Sequence, residues 1–270
     1  MLNVMRPAAF VLLSTNHGTL IVNRNDYRMV DEDKGYGVGY QLMNTSSFDQ
    51  QEVDFALSLL ELRKLHHGAG VVAIDCGANI GVHTVEWGRL MARWGSVYAF
   101  EAQEKIFYAL AGNVAINNCF NVTARHCAVG ARTGSMDIPE PDYLVPSTFG
   151  SLELRQGPNN EFIGQTIDYQ KTRPVPLVSI DSLALKRVDL IKIDVEGMEE
   201  DVLAGASATI RASRPILIVE AAKSDRAALE SFMQSHGYKV FPMGLNVLAV
   251  HEKDPVSRRV SVSNNALVLN

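Results

Sequence analysis

The sequence predicts an α/β protein built on a doubly wound, mostly parallel sheet. Three observations carry that expectation. Short apolar runs ending in a carboxylate recur at Val71–Asp75, Val97–Glu101 and Pro215–Glu220, and such continuous runs suit strands buried on both faces. Helical stretches, with apolar residues spaced three and four apart, alternate with them. The last two runs, Tyr238–Phe241 and Asn246–His251, are joined by Pro242, Met243, Gly244 and Leu245 alone. That link is too short for a crossover, so the final pair should be antiparallel.

The elements follow in order. Phe10–Ser14 and Thr19–Asn23 flank Asn16-His17-Gly18 and read as a hairpin. A Gly- and Asp-rich stretch runs from Asp31 to Gly39. Asp49–His66 carries Val53, Ala56, Leu57, Leu60 and Leu65 on a helical period, stopped by Gly68 and Gly70. Residues 1–70 are therefore expected to form a small hairpin-and-helix cap. The main sheet should span 71–251. Its strands are Val71–Asp75, Val97–Glu101, Val122–Val129, Val188–Asp194, Pro215–Glu220 and the final pair; its helices are Ile80–Arg93, Ile106–Asn117, Glu199–Ala212 and Asp225–His236. Residues 139–176 carry six prolines and three glycines with little periodicity, as a functional or disordered loop would. Residues 252–270 read as a tail, either packed or frayed.

Composition excludes several classes. The chain has 270 residues, 47% hydrophobic and 20% charged, which suits a globular protein and not a disordered one. Its net charge of −5 implies no broad basic surface for nucleic acid. The longest N-terminal apolar run, Ala8–Leu13, is too short for a signal peptide or a membrane span. Three cysteines without CxxC spacing argue against a disulfide framework or zinc site. A reducing cytoplasmic location fits.

Four strands end in acids: Asp75, Glu101, Asp194 and Glu220. Ligands of open α/β sheets bind beyond the carboxyl ends of the strands, and carboxylates there cost solvation unless partnered. The turn Asp75-Cys76-Gly77-Ala78-Asn79-Ile80-Gly81 lets backbone approach a ligand closely and opens a helix N-terminus toward an anionic group. Glu101 falls 20 residues after Gly81, placed to accept ribose hydroxyls. The turn lacks GxGxxG, which disfavours a pyrophosphate.

These segments carry a resemblance. Ile74–Thr84, Phe100-Glu101-Ala102 and Ile191-Lys192-Ile193-Asp194-Val195-Glu196-Gly197-Met198-Glu199 resemble the FkbM family of S-adenosylmethionine-dependent methyltransferases. Ala128-Val129-Gly130, Thr133-Gly134 and Ser179–Leu183 resemble its intervening motifs, and the likeness runs from about Phe48 to about His251. It implies a Rossmann-like class I methyltransferase fold, S-adenosylmethionine as donor, and O-methylation of a hydroxyl on a small-molecule or glycan acceptor: a sugar, a glycan or a secondary metabolite. On that reading Gly77, Asn79 and Gly81 cradle the donor's amino-acid end, with Asp75 near its ammonium. Glu101, followed by Ala102, holds the ribose. Cys127 and Ala128 flank the adenine, and Asp194 faces the acceptor.

Asp194 and Glu196 are the candidates for base work. With Glu220 they form an alternative Mg²⁺ set, and nothing in the sequence fixes a metal. Glu196 and Glu199 also suit the first turn of a helix. Lys192 shares a strand face with Asp194 and either pairs with it or reaches solvent. His83 lies near the donor turn in a packing or capping position. Trp87 and Trp94 read as core. Tyr143, Arg155, Tyr169 and Arg173 are the loop residues placed to contact an acceptor. Two other functions fit a sheet of this kind: an NAD(P)-dependent oxidoreductase and a non-catalytic donor-binding module.

Overall fold

The computed structural model describes residues 8–32, 34–263 and 266–269. The first seven residues of the expected cap and residues 264, 265 and 270 of the tail lie outside them.

In chain order, a hairpin of β1 (Phe10–Thr15) and β2 (Gly18–Asn23) comes first. The short pair β3 (Arg28–Met29) and β4 (Gly35–Tyr36) follows, then α1 (Val38–Thr45) and α2 (Gln50–His67). Next come β5 (Val71–Cys76), α3 (Val82–Met91), β6 (Gly95–Glu101), α4 (Glu104–Ile116) and β7 (Val122–His126). A small side sheet uses β8 (Ala128–Val129), β9 (Gly134–Pro139) and β10 (Thr172–Val178). The chain returns to the main sheet with β11 (Leu190–Ile193), α5 (Glu199–Ala204), α6 (Ser207–Ser213), β12 (Ile216–Glu220) and α7 (Arg226–Ser235). It ends with β13 (Tyr238–Met243), β14 (Asn246–His251), β15 (Val260–Ser263) and β16 (Ala266–Leu269).

The central sheet has seven strands in the order β13-β14-β12-β11-β5-β6-β7. Strands β12, β11, β5, β6 and β7 are mutually parallel, and β14 runs antiparallel to both neighbours. The order reverses between β5 and β11, so the crevice of a doubly wound sheet opens at their carboxyl ends. Both faces are dry, as the continuous apolar runs require. One buries Ile74, Phe100, Ile191 and Leu217 against Val202, Ile210, Leu229 and Met233 of the helices. The other buries Ala73, Val97, Ile216 and Leu248 against Leu59, Leu60, Trp87 and Met91.

The cap shares a core with the sheet. Leu20, Val22 and Leu42 pack with Ile80, Val85, Ile106 and Ala109. Asn113 of α4 clamps the junction, accepting the Ile21 N–H at 2.5 Å and donating to the Ile80 carbonyl at 2.8 Å.

Several expectations are corrected. Val122–Val129 is two strands: Cys127 N–H makes a last bond to Glu101 O, after which Ala128 and Val129 pair with β10 in the side sheet. The helix expected over Glu199–Ala212 breaks at Gly205, whose Cβ position lies 2.2 Å from the Gly130 carbonyl. Strand β11 starts at Leu190 and stops at Ile193, short of both Asp189 and Asp194. The stretch before Asp49 holds a helix, α1, which the sequence reading did not include. The 139–176 segment contributes strand at both ends. The tail packs: Val260 is buried, and Leu267 and Leu269 lie against the second core cluster.

Candidate active site

A cavity of about 1120 Å³ opens at the carboxyl ends of β5, β6, β11 and β12. Asp75, Gly77, Asn79, Gly81, Glu101, Ala102, Ala128, Asp194, Glu196 and Glu220 all line it. The structure thus brings together the donor-turn, ribose and acid candidates named from the sequence.

The first turn is fixed by close approach. Gly77 has φ +79°, and a Cβ there would lie 1.7 Å from the Asp194 carbonyl oxygen; only glycine fits. Asn79 and Gly81 also have positive φ, 51° and 90°. Asp75 is buried, and its Oδ2 accepts the Thr84 hydroxyl at 2.6 Å. Its Oδ1 is buried with no hydrogen-bond partner among the described residues. Glu101 is also buried, and its carboxylate braces the turn. Oε2 accepts the Asn79 N–H at 3.0 Å, and Oε1 accepts the Gln103 N–H at 2.7 Å, at the start of α4. The helix-capping and turn-bracing roles therefore coincide in one side chain. Burial pushes the Glu101 carboxyl up to about 7, against the pull of those N–H groups.

The far wall is acidic. Carboxylate oxygens of Asp194, Glu196 and Glu220 come within 4.8 Å of one another. Burial, and then the charges of Asp194 and Glu220, raise Glu196 well above the ordinary carboxylate range. Burial, with Asp194 and Glu199, lifts Glu220 to about 7. Glu220 Oε2 is buried and has no hydrogen-bond partner. Two lysines offset the charge: Lys192 Nζ lies 2.6 Å from Asp194 Oδ2, and Lys223 Nζ 2.6 Å from Glu196 Oε2. Of the two options for Lys192, the structure takes the pair. Burial pulls its ammonium down, but Asp194, Asp75 and Glu52 more than offset this and hold it above the usual lysine value.

Alternation does not align Asp194 with Glu196. The strand has ended, and Glu196 sits in a left-handed turn at φ 56°. Fully buried Glu199 shapes that turn by accepting the Val195 N–H at 3.0 Å, the Gly197 N–H at 3.1 Å and the Ser224 hydroxyl. Glu199 also opens α5, the first-turn position expected for it, so the bracing role adds to the helix-dipole one. The three-acid set has the spacing of metal ligands, yet two of its members already hold ammonium groups.

Trp87 is core as expected, whereas Trp94 lies at the edge under Lys64, 4.5 Å from its ring. His83 Nε2 lies 3.4 Å from Glu52 Oε1, while Asn246 Nδ2 donates to Glu52 Oε2 at 2.7 Å. Glu52 and Phe55 from α2, Phe48 just before it, Tyr40 from α1 and the 242–246 turn all line the cavity. Sequence reasoning missed them because nothing local distinguishes them from ordinary helix or turn residues. Thr148, Gly150, Ser151, Leu152 and Leu154 of the long loop also line it. Tyr143, Arg155, Tyr169 and Arg173 do not. Arg155 pairs with Asp201, Arg173 with Glu140, Tyr169 bonds the Glu153 carbonyl and Tyr143 bonds Gln103.

Comparison with known proteins fixes the family. The methyltransferase FkbM domain matches residues 75–240. The chain belongs to that family. The sheet accordingly has the Rossmann-like class I methyltransferase fold, and the oxidoreductase alternative falls. Among curated relatives, "Methyltransferase 1" of Beauveria bassiana (strain ARSEF 2860) is 28% identical over 182 residues, 62% of this chain and 72% of that one. "Methyltransferase sdnD" of Sordaria araneosa is 26% identical over 153 residues, 49% of this chain and 59% of that one. A solved FkbM methyltransferase from Methylobacillus flagellatus is 18% identical with a TM-score of 0.49; the match covers 67% of this chain and 44% of that one. No helix among the described residues is long and apolar enough to cross a membrane.

Proposed function

We propose that this methyltransferase binds S-adenosylmethionine in the Gly77–Gly81 turn and methylates a hydroxyl of a sugar, glycan or secondary metabolite, with Asp194 as base. The reading rests above all on the orphaned Asp75 Oδ1 facing the same cavity as Glu101. A buried acceptor without a partner is costly unless a ligand supplies one, and the donor's ammonium is such a group. Each Glu101 oxygen accepts one N–H and keeps a lone pair for a ribose hydroxyl. Ala102 and Ala128, both small and buried, leave room for a flat base. The residues present therefore fit the donor.

When bound, S-adenosylmethionine supplies a methyl group already activated on a sulfonium. The chain's own work is to orient and deprotonate the acceptor. Lys192 fixes Asp194 through Oδ2, leaving Oδ1 to take the hydroxyl proton. Burial and repulsion raise both Glu196 and Glu220. Glu196 is held by Lys223, so Glu220, at about 7, is the group to share a proton with an acceptor's other oxygens. The catalytic unit is residues 71–251, and the preceding cap with the 148–154 stretch shapes the acceptor side.

Calorimetry with S-adenosylmethionine tests the donor half. Glu101→Ala should weaken binding by more than about 100-fold, as two charge-assisted hydrogen bonds are lost, without unfolding the chain. Unchanged affinity would end the ribose assignment.

A further inference from the structure

The 139–176 segment does something the acceptor reading does not use. Its single 3-10 turn, Phe149–Ser151, stands directly against the donor turn. A Cβ on Gly150 would lie 2.7 Å from Asn79 Nδ2, and Gln103 Nε2 donates to the Phe149 carbonyl at 2.8 Å. Gly150 and Ser151 line the same cavity as Asn79 and Glu101, so this turn borders the space a donor would take.

The turn is tied down from several sides. The Phe149 N–H reaches Asp26 Oδ1 at 3.1 Å, and the Thr148 N–H reaches the Ile163 carbonyl at 2.7 Å. The third tie comes from the opposite wall. Lys223, in the loop after β12, donates to the Ser151 carbonyl at 2.7 Å. The same ammonium lies 2.6 Å from Glu196 Oε2 and 3.2 Å from Glu161 Oε2. Glu161 in turn accepts the Tyr36 hydroxyl at 2.6 Å. An ammonium has three N–H donors, and here three oxygens surround it, two from the 139–176 segment and one from the acid turn. One side chain thereby joins the loop, the acid turn and, through Glu161, the cap.

We propose that the 148–152 turn is a lid over the donor site, and that Lys223 is the positioning residue that latches it shut and holds Glu196 in the acid cluster. The proposal rests on the donor reading above. Latching sets the lifetime of the bound donor, because release requires the Lys223–Ser151 contact to part while the sheet stays intact. It also couples lid and chemistry, because one ammonium partners both Ser151 of the lid and Glu196 of the acid turn.

The test uses the full chain with S-adenosylhomocysteine as probe and needs no acceptor. Its dissociation rate is read by stopped-flow displacement. Lys223→Met should speed release by about tenfold or more, the effect of one lost charge-assisted hydrogen bond. Glu161→Gln should speed it by about threefold, because the Ser151 and Glu196 contacts remain. Hydrogen exchange adds a readout that general loosening would not mimic. With the probe bound, Thr148–Leu152 amides should exchange faster in Lys223→Met than in the natural chain, while those of α4 stay unchanged. Release by Lys223→Met within about twofold of the natural rate would overturn the lid. So would faster exchange spread evenly over the sheet. Should Lys223→Met fail to fold, unchanged release by Glu161→Gln overturns it instead. A natural chain that does not bind the probe would overturn the donor reading, and the lid with it; that outcome is distinct from bound probe with unchanged release.

Discussion

The two ends of the central sheet bury the same kinds of residue and treat them oppositely. At the amino ends, Arg63 of α2 bonds Asp189 at 3.0 Å and also Asp254. Asp189 further accepts the Val72 N–H at 2.9 Å and Arg187 Nε at 2.7 Å. Every charge there meets an opposite charge or a backbone donor. At the carboxyl ends, Asp75 Oδ1 and Glu220 Oε2 have no hydrogen-bond partner, and Glu101, Glu196 and Glu220 are all pushed upward by burial. The charges of one end are satisfied among the described residues. The other is left incomplete, which is the electrostatic character of a site that a ligand completes.

If that contrast is right, mutations at the two ends should separate activity from stability. The largest effect is expected at Asp194. Asp194→Asn should slow methyl transfer by about 10²–10⁴-fold, the usual contribution of a positioned base. Donor affinity should hold, and stability should change little, since the lost ion pair with Lys192 offsets the relief of repulsion with Glu196 and Glu220. Labelled-donor mass spectrometry on an acceptor-containing extract, beside denaturant unfolding, reads both. Full activity in the variant would remove Asp194 from the chemistry.

The mirror experiment is Arg63→Met. It removes the cation that Asp189 and Asp254 share, although Arg187 and the Val72 N–H stay with Asp189 and the Val256 N–H with Asp254, so unfolding should lose about 3 kcal/mol, the lower end for a broken buried pair. Affinity for S-adenosylhomocysteine should remain within about twofold, because the change lies at the far end of the sheet. Intact stability would show that the amino-end network is not structural. A matching loss of affinity in the folded variant would show that the two ends are coupled.

The same contrast explains what could be read from the sequence. The donor half was legible because it is local: Asp75, Gly77, Asn79 and Gly81 share one turn, and Glu101 ends the neighbouring strand in register. Backbone geometry forces those residue types at that spacing. The sheet was legible because burial on both faces leaves continuous apolar runs. The acceptor half is assembled from α1, α2, the 148–154 stretch and the 242–246 turn, which meet only in space. No spacing announces that Glu52 will bond Asn246, or that Lys223 will reach Ser151 across 72 positions. The loop's aromatic and basic residues drew attention by type, and their ion pairs and backbone bonds account for them instead. The break in the third strand escaped notice because apolar residues suit both sheets that share it.

The smallest predicted effect tests whether incompleteness at the carboxyl ends costs stability. Glu101 has a folded value of about 7, above its ordinary 4.5, so the folded chain binds this proton more tightly than the unfolded chain does. The stability this group contributes is therefore complete below pH 4.5 and is lost as pH rises through about 7. Glutamine does not titrate. Relative to the natural chain, Glu101→Gln should gain about 3 kcal/mol between pH 4.5 and about pH 8, on the order of the shift converted at 1.36 kcal/mol per pH unit. Urea unfolding of both proteins at the two pH values measures it, and taking the difference cancels every other titrating group. A difference that stays flat would mean that Glu101 is ionised in the folded chain at both values. The two N–H bonds it accepts would then suffice to satisfy it, and the carboxyl ends of β5 and β6 would be as complete as the Arg63 network.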